Sequence, residues 1–461
     1  MKDSQILIGL EIHGYIETKE KLFCRCKNFH NMKLIKPNTN ICPICTGMPG
    51  SKPMLPNKEA LKKILQISLL LNSKINVIEN KRILVFQRKH YDWPDMPVGY
   101  QRTISGAFSI PVAENGNFLG IRIKEIHLEE DPAAWNPETG TVDYNRAGCP
   151  LVEIVTEPDF NDTEKLKDWL KQLILTLSYI KALNKDAGIK ADVNVNIKGI
   201  SERTEIKNVN SVTEILNAIN FEIKRHEKEK PKKKETRRWN SEKGITELMR
   251  GKEEIEDYRF IPDPDLPAIK INKNYVEEIK KRLPESPLQK LEKIIKNFKI
   301  NKKDAEILIK NLEIVELFEE VAKKIPPKIA LPWITVEWLS VLNYNKISMD
   351  DVKIDPNHFI ELLELVENSK ITPMKAKEIL RKFVPESFSP LKEIKNLKLI
   401  TNEEELREKI RKIILDNPKS VEDYKKGKKE AFNFLIGEVM KSTNKMADVQ
   451  KVREILKEEI K

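Results

Sequence analysis

Two periods of apolar residues run along this chain, and they divide it. From residue 6 to about 290 the period is mostly two. "ILIGLEIHGYI", "GIRIKEIHLEED", "CPLVEIVTEP" and "KADVNVNIK" send apolar and polar side chains to opposite faces, the mark of strands with one buried face. Amphipathic helical stretches lie between them. "NKEALKKILQISLLLNS" has Asn57 placed as a cap, and "NDTEKLKDWLKQLILTLSYIKAL" and "SVTEILNAINFEIKRHEKEK" each open on a Ser, Thr or Asp cap. Strands are not regularly followed by helices, so an antiparallel or mixed sheet is expected rather than a doubly wound one. From about 291 the pattern changes to short amphipathic helices, separated by "KKIPPKIALP", "KIDPNH" and "KFVPESFSP". A last boundary falls near "ILDNPKSVEDYKKGKKE", after which "AFNFLIGEVMKSTNKMADVQKVREILKEEIK" makes two final helices. The expected class is α+β: a sheet domain over residues 1–290, a helical domain over 291–415 and a helical tail over 416–461.

Composition narrows the function classes. At 461 residues the chain can hold about three domains, and 40% hydrophobic residues suffice for packed cores. "MKDSQILIGLEIHG" reaches charges too soon for a signal peptide, and no apolar run approaches the about 18 residues that cross a bilayer. A soluble cytoplasmic protein with no membrane partner is expected. Lys plus Arg number 82 against 71 Asp plus Glu, a net +11 that suits a polyanionic partner. The run "KEKPKKKETRR" (228–238) reads as a solvated loop.

Cys24 and Cys26 form C-x-C, and Cys42 and Cys45 form C-x-x-C. Two close thiol pairs separated by a loop have the spacing of a four-cysteine structural zinc site, and four thiolates leave no open position for catalysis. Cys149 stands apart in "GCP" and reads as a small packed residue.

The acidic residues raise a sharper question, because Glu153 interrupts the apolar run from Leu151 to Thr156. A buried carboxylate is costly unless it is paired or bound to a metal. Candidate companions recur with the period of a strand. Glu11 and His13 share one face of the first strand, and Glu129, Glu130 and Asp131 close another. Asp192, Asn194 and Asn196 share a face of "ADVNVNI", as do Arg203, Glu205 and Lys207 of "RTEIKN". A polar sheet surface of this kind suits Mg²⁺, which takes oxygen ligands, and a nucleotide whose phosphates would need Arg88, Lys89, Arg146 or Lys207. A solvated face laced with ion pairs is the alternative. Neither G-x-x-x-x-G-K-[ST] nor a strand-borne G-x-G-x-x-G is present, and no Ser-rich segment or Cys/His pair suggests amide hydrolysis.

"IGLEIH", "NTNICPICTGMPG", "RKHYDWPDMPVGYQ", "HLEEDP", "VDYNRAGCPLVEIVTEPD", "EIKNVNS", "KEEIEDYRFIPDPDLP" and "AFNFLIGEVMKSTNKMADVQKV" run in order over nearly the whole chain. Together they resemble the B subunit of the tRNA-dependent aspartyl/glutamyl amidotransferases. The resemblance implies a ligase working as a heterotrimer. A glutaminase A subunit supplies ammonia and a small C subunit ties A to B. The B subunit binds Asp-tRNA(Asn) or Glu-tRNA(Gln), and ATP phosphorylates the side-chain carboxylate before ammonia displaces the phosphate. It implies a cradle domain, a helical domain and a tail of a tRNA-binding, YqeY-like region. Carried over by position, Glu11, His13, Glu130, Glu153, Asp192 and Glu205 match the catalytic positions, with Glu11, His13, Glu130 and Glu153 toward Mg²⁺. Two features set this chain apart. Lys190 and Ala191 stand where the family usually has Arg-Cys, and the extra synthetase-like insertion of the longer, glutamine-specific relative has no counterpart. A tRNA-binding adaptor without catalysis is the competing expectation.

Overall fold

A computed structural model describes residues 5–29, 35–90, 93–106, 109–183, 188–251, 259–394, 400 and 402–460. It divides into two compact units, Met1–Ser286 and Pro287–Lys461. The first holds the strands: β1 (Ile6–Tyr15), β2 (Lys74–Ile75), β3 (Gln87–His90), β4 (Tyr100–Thr103), β5 (Ala113–Phe118), β6 (Ile121–Glu130), β7 (Ala134–Trp135), β8 (Val142–Asp143), β9 (Pro150–Thr156), β10 (Ile189–Ile197), β11 (Thr204–Asn210), β12 (Glu235–Asn240), β13 (Ile245–Gly251) and β14 (Arg259–Pro262). Its longer helices are α1 (Lys58–Leu70), α2 (Thr163–Tyr179), α3 (Val212–Glu229) and α4 (Lys273–Lys281).

Twelve strands form one sheet in the order β13-β12-β11-β10-β1-β9-β6-β4-β3-β14, with β5 beside β6 and β2 beside β5. β7 and β8 make a separate two-stranded pair. Neighbours are antiparallel except β11 and β12, which run parallel because α3 carries the chain back between them. The sheet is therefore mixed and the class α+β, as the irregular alternation of strands and helices predicts.

Period two decides what each face of the sheet does. Ile8, Leu10 and Ile12 of β1, Ile126 and Leu128 of β6, Val152 and Ile154 of β9, and Val193 and Val195 of β10 are buried in one core. Ile64 of α1, Leu170 of α2 and Ile215 and Ile219 of α3 join that core, so the helices cover the apolar face. Side-chain caps start the helices where the sequence places them: Asn57 accepts from the Glu59 and Ala60 N–H groups, Asp162 from Glu164 and Ser211 from Glu214.

One surface expectation fails. The run 228–238 is not a simple solvated loop, because Lys228 and Glu229 end α3 and Glu235–Arg238 enter β12. Arg237 lies against the buried carboxylate of Glu222 at 3.5 Å, and Glu222 also takes the Arg225 guanidinium at 2.8 Å. A run that counts as polar by composition thus supplies a partner for a buried acid.

The second unit is helical among its described residues, as the change of period predicts. "KIALP" does not separate helices: Pro327–Pro332 is helical and leads into a π-helical turn, Trp333–Trp338. Pro327 sits in the first turn, where its missing N–H costs nothing. The helices Glu403–Asp416, Lys429–Ser442 and Val449–Ile460 share a core of Leu406, Ile410, Leu435, Val439, Val452 and Leu456. Among the described residues no helix is long and apolar enough to cross a membrane.

Candidate active site and cysteine cluster

The face of the sheet opposite the helices is polar, and strand register assembles it. His13 of β1 and His127 of β6 lie on either side of Glu153 of β9. Glu11 of β1 lies opposite Asp192 of β10, and Asn194 opposite Glu205 of β11. Residues distant in sequence become neighbours because adjacent strands are about 4.8 Å apart.

Glu153 sits at the centre, and its partners answer why an acid interrupts that strand. Val152 and Ile154 fill the core while Glu153 turns to the polar face. One of its oxygens lies 2.5 Å from His127 Nδ1 and the other 3.4 Å from His13 Nε2. His127 Nε2 lies 3.0 Å from Glu125, so a row of carboxylate, imidazole, carboxylate and imidazole crosses three strands. Burial opposes ionisation of Glu153, but hydrogen bonds from His127 and His13 and their positive charges outweigh it and hold the carboxyl well below its ordinary value. The imidazoles gain in return. Burial disfavours their charged forms, yet the adjacent carboxylates push His13 up to about 9 and His127 up to about 10. Each group is oriented by the next, as a reactive or metal-binding set requires.

The three acids at the end of β6 part company. Glu129 faces the centre: it takes the Thr103 hydroxyl at 2.9 Å and the Gln101 amide at 3.3 Å, and with His13 and Glu153 it offers ligand atoms within 4.8 Å of one another. Glu130, expected beside His13 and Glu153, is outside that set. It accepts the Arg102 backbone N–H at 2.9 Å and lies 3.3 Å from the Arg102 guanidinium, which also binds Asp263 at 2.9 Å. The physical reason is the period of the strand: neighbouring residues point to opposite faces, so Glu129 and Glu130 cannot share a site. Burial raises the pKa of Glu130, and Arg102 only partly opposes it. Asp131 accepts the Tyr15 hydroxyl at 3.0 Å and lies 3.3 Å from Arg146.

Beside the histidine set lies a second acidic group. Glu11, Asp192 and Glu205 offer ligand atoms within 4.8 Å of one another. Lys207 Nζ stands among them, 2.7 Å from Asp192 and 2.6 Å from Glu205. A bulge between Ala191 and Val193 turns Asp192 so that it also accepts the Asn208 N–H at 2.7 Å. Burial disfavours the Lys207 ammonium, but the two carboxylates outweigh it and keep it charged. Glu11 is raised, first by burial and then by the charge of Glu153. Asn194 donates to Glu11 at 3.1 Å while its own amide oxygen is buried without a partner among the described residues. An acceptor left this way on a polar face suits a ligand donor.

The expected phosphate-binding cations fall in different places. Arg88 lies on the face of β3 that meets Asp263 at 3.1 Å and Asp265 at 2.8 Å, with its guanidinium 4.5 Å from the Tyr100 ring. Gln87 and Lys89, its neighbours in sequence, take the other face of that strand. Arg146 is held by Asp131 and by the carbonyls of Pro132 and Ala133 at 2.9 and 3.1 Å. Arg88 and Arg146 are therefore engaged with acids, and Lys207 is the expected cation that stands within the acidic group. Lys190 has its Nζ 5.8 Å from the centroid of the Tyr15 ring.

His127 and Glu125 were not legible as site residues, although the spacing of Glu125, His127 and Glu129 at every second position of "KEIHLEED" carries the signal. Reading that stretch for its acids alone hides the histidine between them.

The four cysteines come together. Cys24, Cys26, Cys42 and Cys45 place their sulfurs within 4.8 Å of one another, and Cys45 Sγ lies 4.0 Å from Cys26 Sγ. Zinc–sulfur bonds of about 2.3 Å in a tetrahedron need sulfurs about 3.8 Å apart. The donor set fits, and these residues could bind a metal such as zinc. The Cys42 N–H points at Cys45 Sγ at 3.2 Å. Gly47 turns the loop at φ +65°, where a Cβ would stand 2.6 Å from the Pro97 carbonyl oxygen. A hydrogen bond from Cys24 lowers the Cys45 thiol to about 5 despite burial, with the charge of Lys21 contributing. Burial and the charge of Cys45 raise Cys26 to about 12. Cys149 is fully buried, as its reading as a packed residue expects.

The acidic and histidine-bearing face lies in the first unit, and the described residues of the second are helical. The family model described as "GatB/GatE catalytic domain" matches residues 6–277, and one described as "GatB domain" matches residues 316–460. The chain belongs to this family. Among its curated relatives is the protein of Methanocaldococcus jannaschii, 41% identical over 100% of this chain and 99% of its own length. The Methanopyrus kandleri protein is 41% identical over 99% of both chains. The Methanothermobacter thermautotrophicus protein is 42% identical over 98% of this chain and 99% of its own. All three carry the name of the B subunit of aspartyl/glutamyl-tRNA(Asn/Gln) amidotransferase.

Proposed function

We propose that this chain is the ATP-dependent component of an aminoacyl-tRNA amidotransferase. It activates the side-chain carboxylate of Asp-tRNA(Asn) or Glu-tRNA(Gln) by phosphorylation, and ammonia from a glutaminase A subunit then displaces the phosphate to give Asn-tRNA(Asn) or Gln-tRNA(Gln). A small C subunit would complete a cytoplasmic heterotrimer. The observation that carries this reading is the Glu125–His127–Glu153–His13 row with Glu129 beside it, on the sheet face opposite the helices.

Phosphoryl transfer between anions needs positioning and charge neutralisation more than protein nucleophiles. A Mg²⁺ ion bound with ATP would supply that neutralisation. His13, Glu129 and Glu153 would hold it, and Glu11, Asp192 and Glu205 form the adjoining acidic group. The protein's own task is orientation. His127 aims Glu153, Thr103 and Gln101 fix Glu129, and Lys207 keeps Asp192 and Glu205 from repelling each other. Of the two cations on β3, Lys89 shares the face of Gln101 and Thr103 and is the candidate for a nucleotide contact, whereas Arg88 is committed to Asp263 and Asp265 on the other face. The net charge of +11 over the whole chain supports binding of a polyanion such as tRNA. Zinc in the four-cysteine site would be structural, since four thiolates would fill its coordination sphere.

ATP hydrolysis by the reconstituted three-subunit complex tests the reading. Stimulation by mischarged tRNA, with amidated tRNA as product, is the expected result. A complex that binds mischarged tRNA but hydrolyses no ATP would make the chain a tRNA-binding adaptor.

A further inference from the structure

Lys21 is among the largest fully buried side chains of the protein, with 1% of its surface exposed. Its Nζ reaches two backbone carbonyls, those of Asn40 at 3.3 Å and Tyr144 at 3.4 Å. Neither bears a charge. Among the described residues no carboxylate forms an ion pair with it, whereas the buried cations Arg102, Arg225, Lys290 and Lys375 each have one. A buried ammonium held only by carbonyls is expensive, and such a group persists where a counter-charge is close.

The fold puts that counter-charge within reach. The Lys21 N–H donates to the Cys26 carbonyl at 3.0 Å, and the Leu22 N–H to the Gly148 carbonyl at 2.8 Å. At Gly148 an added Cβ would stand 3.9 Å from Lys21 Cδ and 4.0 Å from Cys45 Cβ, so the lysine stem and Cys45 border one small space. Four thiolates around a divalent ion carry a net charge of about −2, and on the side of the buried Cys24 and Cys45 that charge is balanced from within the protein.

We propose that Lys21 is the buried counter-charge of a metal–thiolate centre formed by Cys24, Cys26, Cys42 and Cys45, a positioning residue and not a ligand. Its two carbonyl bonds join the cysteine loop at Asn40 to the segment at Tyr144, which leads into β9 and Glu153. The ammonium thereby ties the charge of the metal centre to the start of the strand that bears the central acid. This rests on the thiol set taking up a divalent ion.

Zinc binding by the full-length chain, titrated with zinc alone against a chromophoric chelator, tests it. Lys21→Met removes the charge at similar length, and Lys21→Gln removes it while keeping donors for the two carbonyls. Both are expected to weaken zinc affinity about 10- to 100-fold at unchanged stoichiometry. Both should also lower thermal stability more in the zinc-loaded than in the metal-free chain. Lys19→Met, on the exposed neighbouring surface, should change neither. Unchanged affinity in a folded Lys21→Gln chain, or an equal stability loss with and without zinc, would overturn the proposal. Wild-type chain that takes up no zinc would instead overturn the metal reading on which it rests.

Discussion

Glu153→Gln is the most direct probe of the polar face. The substitution keeps the volume of the side chain but changes what its two partners meet. In the wild type both oxygens accept, one from His127 Nδ1 at 2.5 Å and the other toward His13 Nε2 at 3.4 Å. An amide offers one acceptor and one donor, so one imidazole must face an N–H. The loss of one charge-assisted hydrogen bond is worth about 2 kcal/mol. Release of the proton that Glu153 holds on that imidazole offsets part of this, because the ring can then accept. A decrease in folding stability of about 1–2 kcal/mol is therefore expected, well short of unfolding. The effect on turnover should be larger. Removing one preorganised charge from a site of developing charge costs about 10²- to 10³-fold, and Glu153 is both a candidate oxygen ligand and the group that orients His13. The assay is single-turnover formation of amidated tRNA by the assembled complex, with tRNA binding and melting measured on the same preparation. Turnover within a few-fold of wild type in a folded Glu153→Gln complex would refute the reasoning and make the histidine–carboxylate row a packing device.

Other consequences follow from the same geometry. Cys42→Ser should abolish stoichiometric zinc uptake and lower the melting temperature, while ATP affinity changes little; metal analysis and calorimetry check it. Removal of everything from Pro287 onward should leave the first unit folded, since the sheet and its helices share one core, and should reduce tRNA affinity sharply in a filter-binding assay. Burial raises the pKa of Glu222, but bonds from His226, Arg225 and Thr246 dominate and lower it to about 2 from the ordinary 4.5. A depressed carboxyl contributes stability above its unfolded pKa and loses it as pH falls through the folded one. Glu222→Gln should thus cost about 3 kcal/mol at neutral pH, and the gap from wild type should close between about pH 4.5 and 2 in denaturant unfolding. A gap that is constant across that range would show that Glu222 acts through shape alone.

Much of this protein is determined by local sequence. Asn57, Asp162 and Ser211 start helices because a side-chain oxygen can satisfy the free N–H groups of a first turn whatever the rest of the chain does. The alternation in "GLEIHG" and "PLVEIVT" decides that Glu11, His13 and Glu153 leave the core face, since period two is a property of the extended backbone. C-x-C and C-x-x-C bring thiols into pairs by short loops alone. Register between strands is another matter, because it is decided by pairings over long sequence separations. That His13 and His127 flank Glu153, and that Lys207 stands between Asp192 and Glu205, depend on which strands are neighbours and where a bulge shifts them. The same holds for charge. Arg88, Arg146 and Lys21 are all cations along the chain, and only the tertiary structure separates arginines held by acids from a lysine that, among the described residues, reaches two carbonyls and no carboxylate.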